Sequence, residues 1–76
     1  MPRLPGVRPR EVIRFLERHG FLLDHSSGSH FIYYNAGTRK RAVVPKHNRD
    51  MPKGTLMSLL REAGFTRDEL LEFLRV

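Results

Sequence analysis

Four histidines are the side chains of this protein best suited to catalysis, because its 76 residues include no cysteine. Without a thiol, Cys-ligated zinc sites and thiol nucleophiles are excluded, and proton transfer falls to imidazoles and carboxylates. A free imidazole titrates at about pH 6.5, so it can gain or lose a proton at neutral pH. The candidates for acid–base chemistry are therefore His19, His25, His30 and His47.

The local sequence distinguishes His30 from the other three histidines. It follows the small residues Ser27-Gly28-Ser29 and begins an aromatic segment, so the backbone can approach a ligand there. A partly exposed strand histidine without a role is the alternative. We expect His19 to be structural, at the end of a helix, and His25 to be a solvated loop residue. His47 is a candidate phosphate contact or second proton carrier.

Two other hydrolytic chemistries are disfavoured by the spacing of the residues. A zinc site would need His-x-x-x-His or clustered histidines with a carboxylate, and His25 and His30 do not have that spacing. A serine triad would be expected to show Gly-x-Ser-x-Gly, which is absent. We therefore expect no metal and no cofactor.

Positive charge is the second functional feature of the sequence. The chain has 14 Lys and Arg against 8 Asp and Glu, a net charge of +6. The whole excess precedes Met51, and it is densest in residues 39–53, hereafter the basic segment. Its charged residues are Arg39, Lys40, Arg41, Lys46, Arg49 and Lys53, opposed only by Asp50. Such a cluster favours nucleic acid as partner, although a loop made basic for solubility is the alternative.

Metal-free cleavage of RNA suits this set of residues. RNA supplies its own nucleophile, the 2′-hydroxyl, so the protein need provide only proton transfer and positive charge. The basic segment would stabilise the charge that develops on phosphorus, and bases could stack on Phe31, Tyr33 and Tyr34. Free backbone N–H groups at Lys53-Gly54-Thr55 offer an anion site, with ordinary helix capping as the alternative.

Gly, Pro, Asn and Ser divide the chain into six elements in the order α-β-β-β-α-α. The predicted helices cover about 9–19, about 53–63 and a segment opened by a Thr66/Glu69 capping box, and the predicted strands cover 21–24, 29–34 and 40–44. A turn is expected at 26–28. The predicted fold class is α+β, a three-stranded antiparallel sheet with helices on one face and the other face free for a ligand.

Length and composition predict a single domain over residues 1–76. The apolar runs, such as residues 21–23, are far shorter than the roughly 18–20 residues of a membrane span. The N-terminal residues 1–6 lack the apolar region of a secretory signal. We therefore expect a cytoplasmic protein with no membrane association.

Four short motifs follow one another along the chain. They are Phe-Leu-Glu-Arg-His-Gly-Phe at 15–21, Gly-Ser-His-Phe-Ile-Tyr at 28–33, Val-Pro-Lys-His at 44–47 and Lys-Gly-Thr-Leu at 53–56, followed by Leu60 and Ala63-Gly64. In this order, over about Val7 to Leu74, the chain resembles the HicA-type mRNA interferase toxins of bacterial and archaeal toxin–antitoxin pairs.

The resemblance implies an α-β-β-β-α fold similar to a double-stranded RNA-binding domain and one functional histidine in the Gly-Ser-His motif, which corresponds to His30. It also implies a metal-independent, ribosome-independent ribonuclease that degrades mRNA until a HicB-type antitoxin neutralises it. Phe31 departs from the family, whose members often have a polar or basic residue there. His47 falls in the common Pro-x-His loop and is expected to help bind RNA.

We therefore predict a toxin endoribonuclease in which His30 carries the proton transfer. The predicted RNA contacts are Ser29, Arg39, Lys40, Arg41, Lys46, His47 and Lys53. The expected partners are mRNA and an acidic HicB-type antitoxin that covers His30. A non-catalytic RNA-binding module is the main alternative, since its fold and charge would look alike. A DNA-reading helix-turn-helix is disfavoured because its recognition helix would carry net negative charge.

Overall fold

The computed structural model describes residues 6–75. Its elements are α1 (Pro9–Arg18), β1 (Leu22–Ser27), β2 (His30–Asn35), β3 (Lys40–Pro45), α2 (Lys53–Ala63) and α3 (Arg67–Leu74). The predicted order is confirmed. Residues 1–5, most of the segment expected not to be a secretory signal, lie outside the described range. Within that range no helix has the length and apolar character to cross a bilayer.

Local side chains cap the starts of α1 and α3. At α1, the Arg8 N–H donates to the Glu11 carboxylate over 2.9 Å, with Pro9 in the first turn. At α3, the Thr66 hydroxyl accepts from the Glu69 N–H over 3.2 Å, and the Glu69 carboxylate accepts from the Thr66 N–H over 2.8 Å. The predicted capping box is therefore confirmed, since each side chain satisfies a backbone donor of the first turn.

The sheet is antiparallel in the order β1-β2-β3, and its first strand is longer than predicted. An irregularity in the pairing at Asp24 lets β1 continue to Ser27, whereas the prediction ended the strand at Asp24. The expected turn at 26–28 is wrong for the same reason. The chain reverses at Gly28 and Ser29, where Gly28 has a φ of +55° that favours glycine.

The second hairpin is tied to the end of α1 by one side chain, the buried Asn35. Its Oδ1 accepts the N–H groups of Gly37 and Thr38 over 2.8 and 3.1 Å. Its Nδ2 donates to the carbonyl oxygen of His19 over 2.9 Å. The amide therefore satisfies the turn and fixes the sheet against the helix.

One face of the sheet packs on the helices, as predicted, and forms the core. Tyr33 of β2 and Ala42 and Val44 of β3 lie on this covered face. The buried apolar residues of the core come from every helix and from two of the strands: Val7, Val12, Phe15, Leu16, Phe21, Tyr33, Ala42, Val44, Met51, Leu56, Leu59, Leu60, Ala63 and Leu70.

The opposite face of the sheet, hereafter the open face, has no helix over it among residues 6–75. Strand alternation places Ile32 and Tyr34 of β2 there, with Arg41 and Val43 of β3 opposite them. Tyr34 keeps 37% of its surface exposed, whereas Tyr33 keeps 6%. The expectation that both tyrosines offer stacking surfaces to bases is therefore wrong for Tyr33, whose ring belongs to the core.

Candidate active site

His30 is exposed on the open face, at the first position of β2. It lies opposite Ser27 of β1 and Pro45 of β3, so its Cα is held by strands on both sides. The Ser29 hydroxyl is 3.3 Å from His30 Nδ1, within hydrogen-bonding distance. A hydroxyl can either donate or accept, so this contact is compatible with both neutral tautomers of the ring.

A groove of about 550 Å³ lies between His30 and α2. Its floor is Val43 and Pro45 of β3, and its helical wall includes Thr55, Ser58 and Glu62. These three wall residues lie on one side of α2, because helical neighbours three and four positions apart share a face. The helical rise puts Thr55 and Glu62 about 10 Å apart along the wall.

The direction of the groove follows from the antiparallel packing of α2 along β3. Gly54 lies at the end near His30 and Pro45. At the other end, Gly64 approaches Lys40 so closely that an added Cβ would be 2.8 Å from the Lys40 Cδ. Glu62 therefore lies towards the end of the groove remote from His30.

The predicted anion site at the start of α2 lies beside His30. Gly54 and Thr55 line the same groove, and no atom comes within 4 Å of the Cβ position of Gly54. The Leu56 N–H makes the first helical hydrogen bond, to the Pro52 carbonyl, and no side chain caps this helix. The N–H groups of 53–55 thus lie at the positive end of α2 next to an exposed imidazole.

The basic segment does not form one patch, because β3 separates its two ends. Lys40 pairs with Asn35, whereas Pro45 pairs with His30, so residues 39–41 begin about 16 Å along the strand from the His30 end. Arg41 alone of these three alternates onto the open face, opposite Tyr34. Lys53 lies at the His30 end, as the first residue of α2.

Lys46 lies at the His30 end but on the other side of the sheet. Its N–H donates to the Ser29 carbonyl over 2.7 Å, which prolongs the β2–β3 pairing by one residue. Its Nζ lies 4.9 Å from the ring centre of the half-buried Phe31, a cation–π contact on the covered face. Of the predicted phosphate contacts, Lys46 is therefore separated from the His30 groove.

His47 is half-buried in the loop between β3 and α2. Its Nδ1 accepts the Arg49 N–H over 3.2 Å, so Nδ1 carries no proton in this arrangement and Nε2 is the nitrogen left for a ligand. The same loop is anchored by the Met51 N–H, which donates to the Val7 carbonyl over 2.7 Å.

His19 has the structural surroundings that we expected for it. Its ring centre lies 4.7 Å from that of Phe15 and 4.8 Å from that of Phe65. Its Nδ1 donates to the Phe15 carbonyl over 2.8 Å. The imidazole thus packs against Phe15 of α1 and Phe65 of the α2–α3 connection, and it does not line the His30 groove.

The prediction that His25 is a loop residue is wrong, because His25 lies within β1. The Asp24 irregularity turns His25 onto the open face, opposite Ile32, where it is a diagonal neighbour of His30. Such neighbours have Cα atoms about 7–8 Å apart. Its Nδ1 lies 2.6 Å from the Asp24 carboxylate, which fixes the ring and leaves Nε2 for a substrate.

Sequence reasoning placed neither His25 on the open face beside His30 nor Glu62 in the groove. The adjacent Asp24-His25 pair was visible in the sequence, but its orientation depends on a strand irregularity that no local pattern predicted. No group of three or more His, Asp or Glu side chains within residues 6–75 is arranged to hold a metal ion.

The family comparison covers the part of the chain that builds this site. A family model described as the HicA toxin of bacterial toxin–antitoxin systems matches residues 9–65, about three quarters of the chain. The match runs from α1 through α2 and includes His30 and both walls of the groove. No curated protein matches the chain significantly. With a family model matching most of its length, this chain belongs to the HicA toxin family.

Proposed function

We propose that the protein is the toxin of a type II toxin–antitoxin pair and acts as an mRNA endoribonuclease that needs neither a metal ion nor the ribosome. Membership of the HicA toxin family supports the toxin role. The observation that carries the nuclease proposal is the exposed His30 imidazole at the mouth of a groove, beside the uncapped start of α2.

The proposed reaction is an internal transfer at phosphorus. The ribose 2′-oxygen forms a bond to the adjacent phosphorus as its proton passes to His30 Nε2, and the P–O5′ bond breaks. The leaving 5′-oxygen takes a proton from the second histidine, His25. The products are a 2′,3′-cyclic phosphate and a free 5′-hydroxyl, and one proton has moved from RNA to His30 and another from His25 to RNA.

Positive charge on the open face supports binding of the scissile phosphate. The N–H groups at 53–55 lie at the start of α2, which borders the His30 end of the groove, and Lys53 is the first residue of that helix. Both would stabilise the negative charge that increases as the 2′-oxygen attacks. Arg41, which lies on the open face opposite Tyr34, would bind a phosphate further along the strand. The exposed Tyr34 ring provides a surface on which an unpaired base stacks.

The assignment of His30 is tested by comparing wild type with His30→Ala on unstructured RNA in the presence of EDTA. We expect a loss of cleavage of at least about 100-fold, the usual contribution of acid–base catalysis, with the melting temperature unchanged. Glu72→Gln, an exposed substitution on α3, is the matched control. Full activity of His30→Ala would overturn the assignment.

The same assay separates a nuclease from the alternative, a non-catalytic RNA-binding module. That module would protect RNA and never shorten it, even at high protein concentration. Appearance of 2′,3′-cyclic phosphate ends supports the nuclease, and their absence at all concentrations of wild-type protein favours the module.

The role of His25 is tested with RNA whose leaving 5′-oxygen is replaced by sulfur. A thiol has a pKa of about 8.5, so the thiolate departs without a proton donor. We expect His25→Ala to be about 100-fold slower than wild type on normal RNA but close to wild type on the sulfur substrate. A His25→Ala defect that is equal on both substrates, or no defect at all, contradicts the role of proton donor.

We further propose that a HicB-type antitoxin of acidic character covers His30. The basic surface and the apolar side chains of the open face suit such a partner. In the purified complex, His30 should be protected from modification by diethyl pyrocarbonate, whereas in the free toxin it should react. A reactive His30 in an inhibited complex would rule out direct coverage.

A further inference from the structure

The Glu62 carboxylate lines the same groove as His30, although the start of α2 at the other end of that groove favours an anionic ligand. Within residues 6–75, no hydrogen bond or ion pair engages this carboxylate. It is exposed, and an ionised carboxylate can only accept hydrogen bonds. Because it repels phosphate, and because RNA carries no cationic group at neutral pH, the part of an RNA ligand suited to this end of the groove is an uncharged hydrogen-bond donor.

The shape of the groove suits a nucleobase at this position. Val43 and Pro45 provide an apolar floor on which a base can lie flat, and the Ser58 hydroxyl and Glu62 carboxylate stand at its edge. Thr55 lies at the His30 end of the groove, and Glu62 lies about 10 Å further along the helix. A base bound at Glu62 would therefore belong to a nucleotide near the cleaved bond but not at it. Unpaired RNA bases are commonly recognised by such contacts to their Watson–Crick edges.

The donor pattern of the four bases selects one of them. The Watson–Crick edge of guanine presents two adjacent donors, N1–H and the N2 amino group, which match the two oxygens of a carboxylate. Adenine and cytosine present one donor beside an acceptor, and uracil presents one donor between two acceptors. An acceptor facing a carboxylate oxygen is repelled.

We propose that the groove between β3 and α2 is a guanine-binding subsite in which Glu62 accepts both Watson–Crick donors of a base close to the cleaved bond. This inference rests on the proposed function, because it assumes RNA on the open face. According to this inference, Glu62 determines which base is preferred near the cleaved bond. A glutamine at this position would present one acceptor and one donor, the complement of adenine or cytosine.

The test measures cleavage of RNA with randomised flanks by wild type and Glu62→Gln. Wild type should prefer guanine at one position near the cut by about ten-fold or more, and Glu62→Gln should shift that preference towards adenine or cytosine. Inosine in place of the guanine removes the N2 amino group, so it should slow wild type and have a smaller effect on Glu62→Gln. Glu72→Gln, which removes the same charge outside the groove, should keep the wild-type preference.

A binding assay keeps this inference separable from the nuclease proposal. His30→Ala and the double variant His30→Ala/Glu62→Gln are titrated with short RNAs that differ in one base. Preferential binding of the guanine RNA by the first variant, lost in the second, supports the subsite even if cleavage is absent. Equal affinity for all bases, or a guanine preference that survives in Glu62→Gln, would overturn the subsite and leave the catalytic role of His30 untouched.

Discussion

The two faces of the sheet contain neighbouring residues of the same type in opposite surroundings. On the covered face Val44 is 0% and Tyr33 6% exposed, whereas their neighbours Val43 and Tyr34 on the open face are 36% and 37% exposed. Successive side chains of a strand point to opposite faces, so one step along the chain separates core from binding surface. The comparison shows that strand register, more than residue type, decides which side chains are available for function.

The largest difference between the faces should appear in stability when adjacent valines are shortened. Val44→Ala removes two fully buried methyl groups and should lower the free energy of unfolding by about 1–3 kcal/mol. Val43→Ala, on the open face, should lower it by about 0.5 kcal/mol or less. Thermal or urea unfolding of the two variants measures this difference. Equal destabilisation would mean that the open face is packed in solution.

A second difference concerns two cations on opposite faces, Arg41 and Lys46. Removing a phosphate contact reduces the salt dependence of RNA binding by about one unit of slope. Arg41→Gln should show this reduction, and Lys46→Gln should show a smaller one because the Lys46 ammonium rests on the Phe31 ring. The measurement is RNA affinity at several salt concentrations for wild type and both variants. If Lys46→Gln reduces the salt dependence as much as Arg41→Gln or more, the Lys46 side chain leaves Phe31 to bind RNA.

The smallest expected effect is on the alkaline limb of stability. Burial, and then the charge of Glu17, raise the pKa of the Tyr33 phenol above its ordinary value of 10.0. The contribution of the Tyr33 phenol to the free energy of unfolding is thus complete below about pH 10. It is lost as pH rises through the higher folded-state pKa, because this phenol ionises at a lower pH in the unfolded chain than in the folded protein. Tyr33→Phe should therefore lose less stability than wild type above pH 10 in urea unfolding at a series of pH values. A steeper loss in the variant would contradict this sign.

The helices were predictable because their ends are encoded by local residues. Pro9, the Thr66/Glu69 box and Gly64 each act within one helical turn, and the structure confirms the predicted box. The length of β1 was not predictable in this way. It depends on the irregularity at Asp24, which exists only in the pairing with β2.

The site was predicted in part for the same reason. A sheet face free of helices was predicted, and His30 is exposed on that face. A count of charge along the chain could not show that β3 divides the basic segment, nor that Lys46 stacks on Phe31. Glu62 lines the groove because α2 packs along β3. That packing depends on both elements, so the local sequence around Glu62 could not predict it.

Gly64 affects the His30 groove, although it does not line that groove. Its φ of +88° is strained for any residue with a side chain, and a Cβ there would displace the Lys40 stem. Substitution would therefore loosen the last turn of α2 where it meets the first residue of β3. Because that turn contains Glu62, the distance between its carboxylate and the His30 imidazole would no longer be fixed. Under the proposed guanine subsite, we expect such a substitution to weaken base preference before it weakens cleavage.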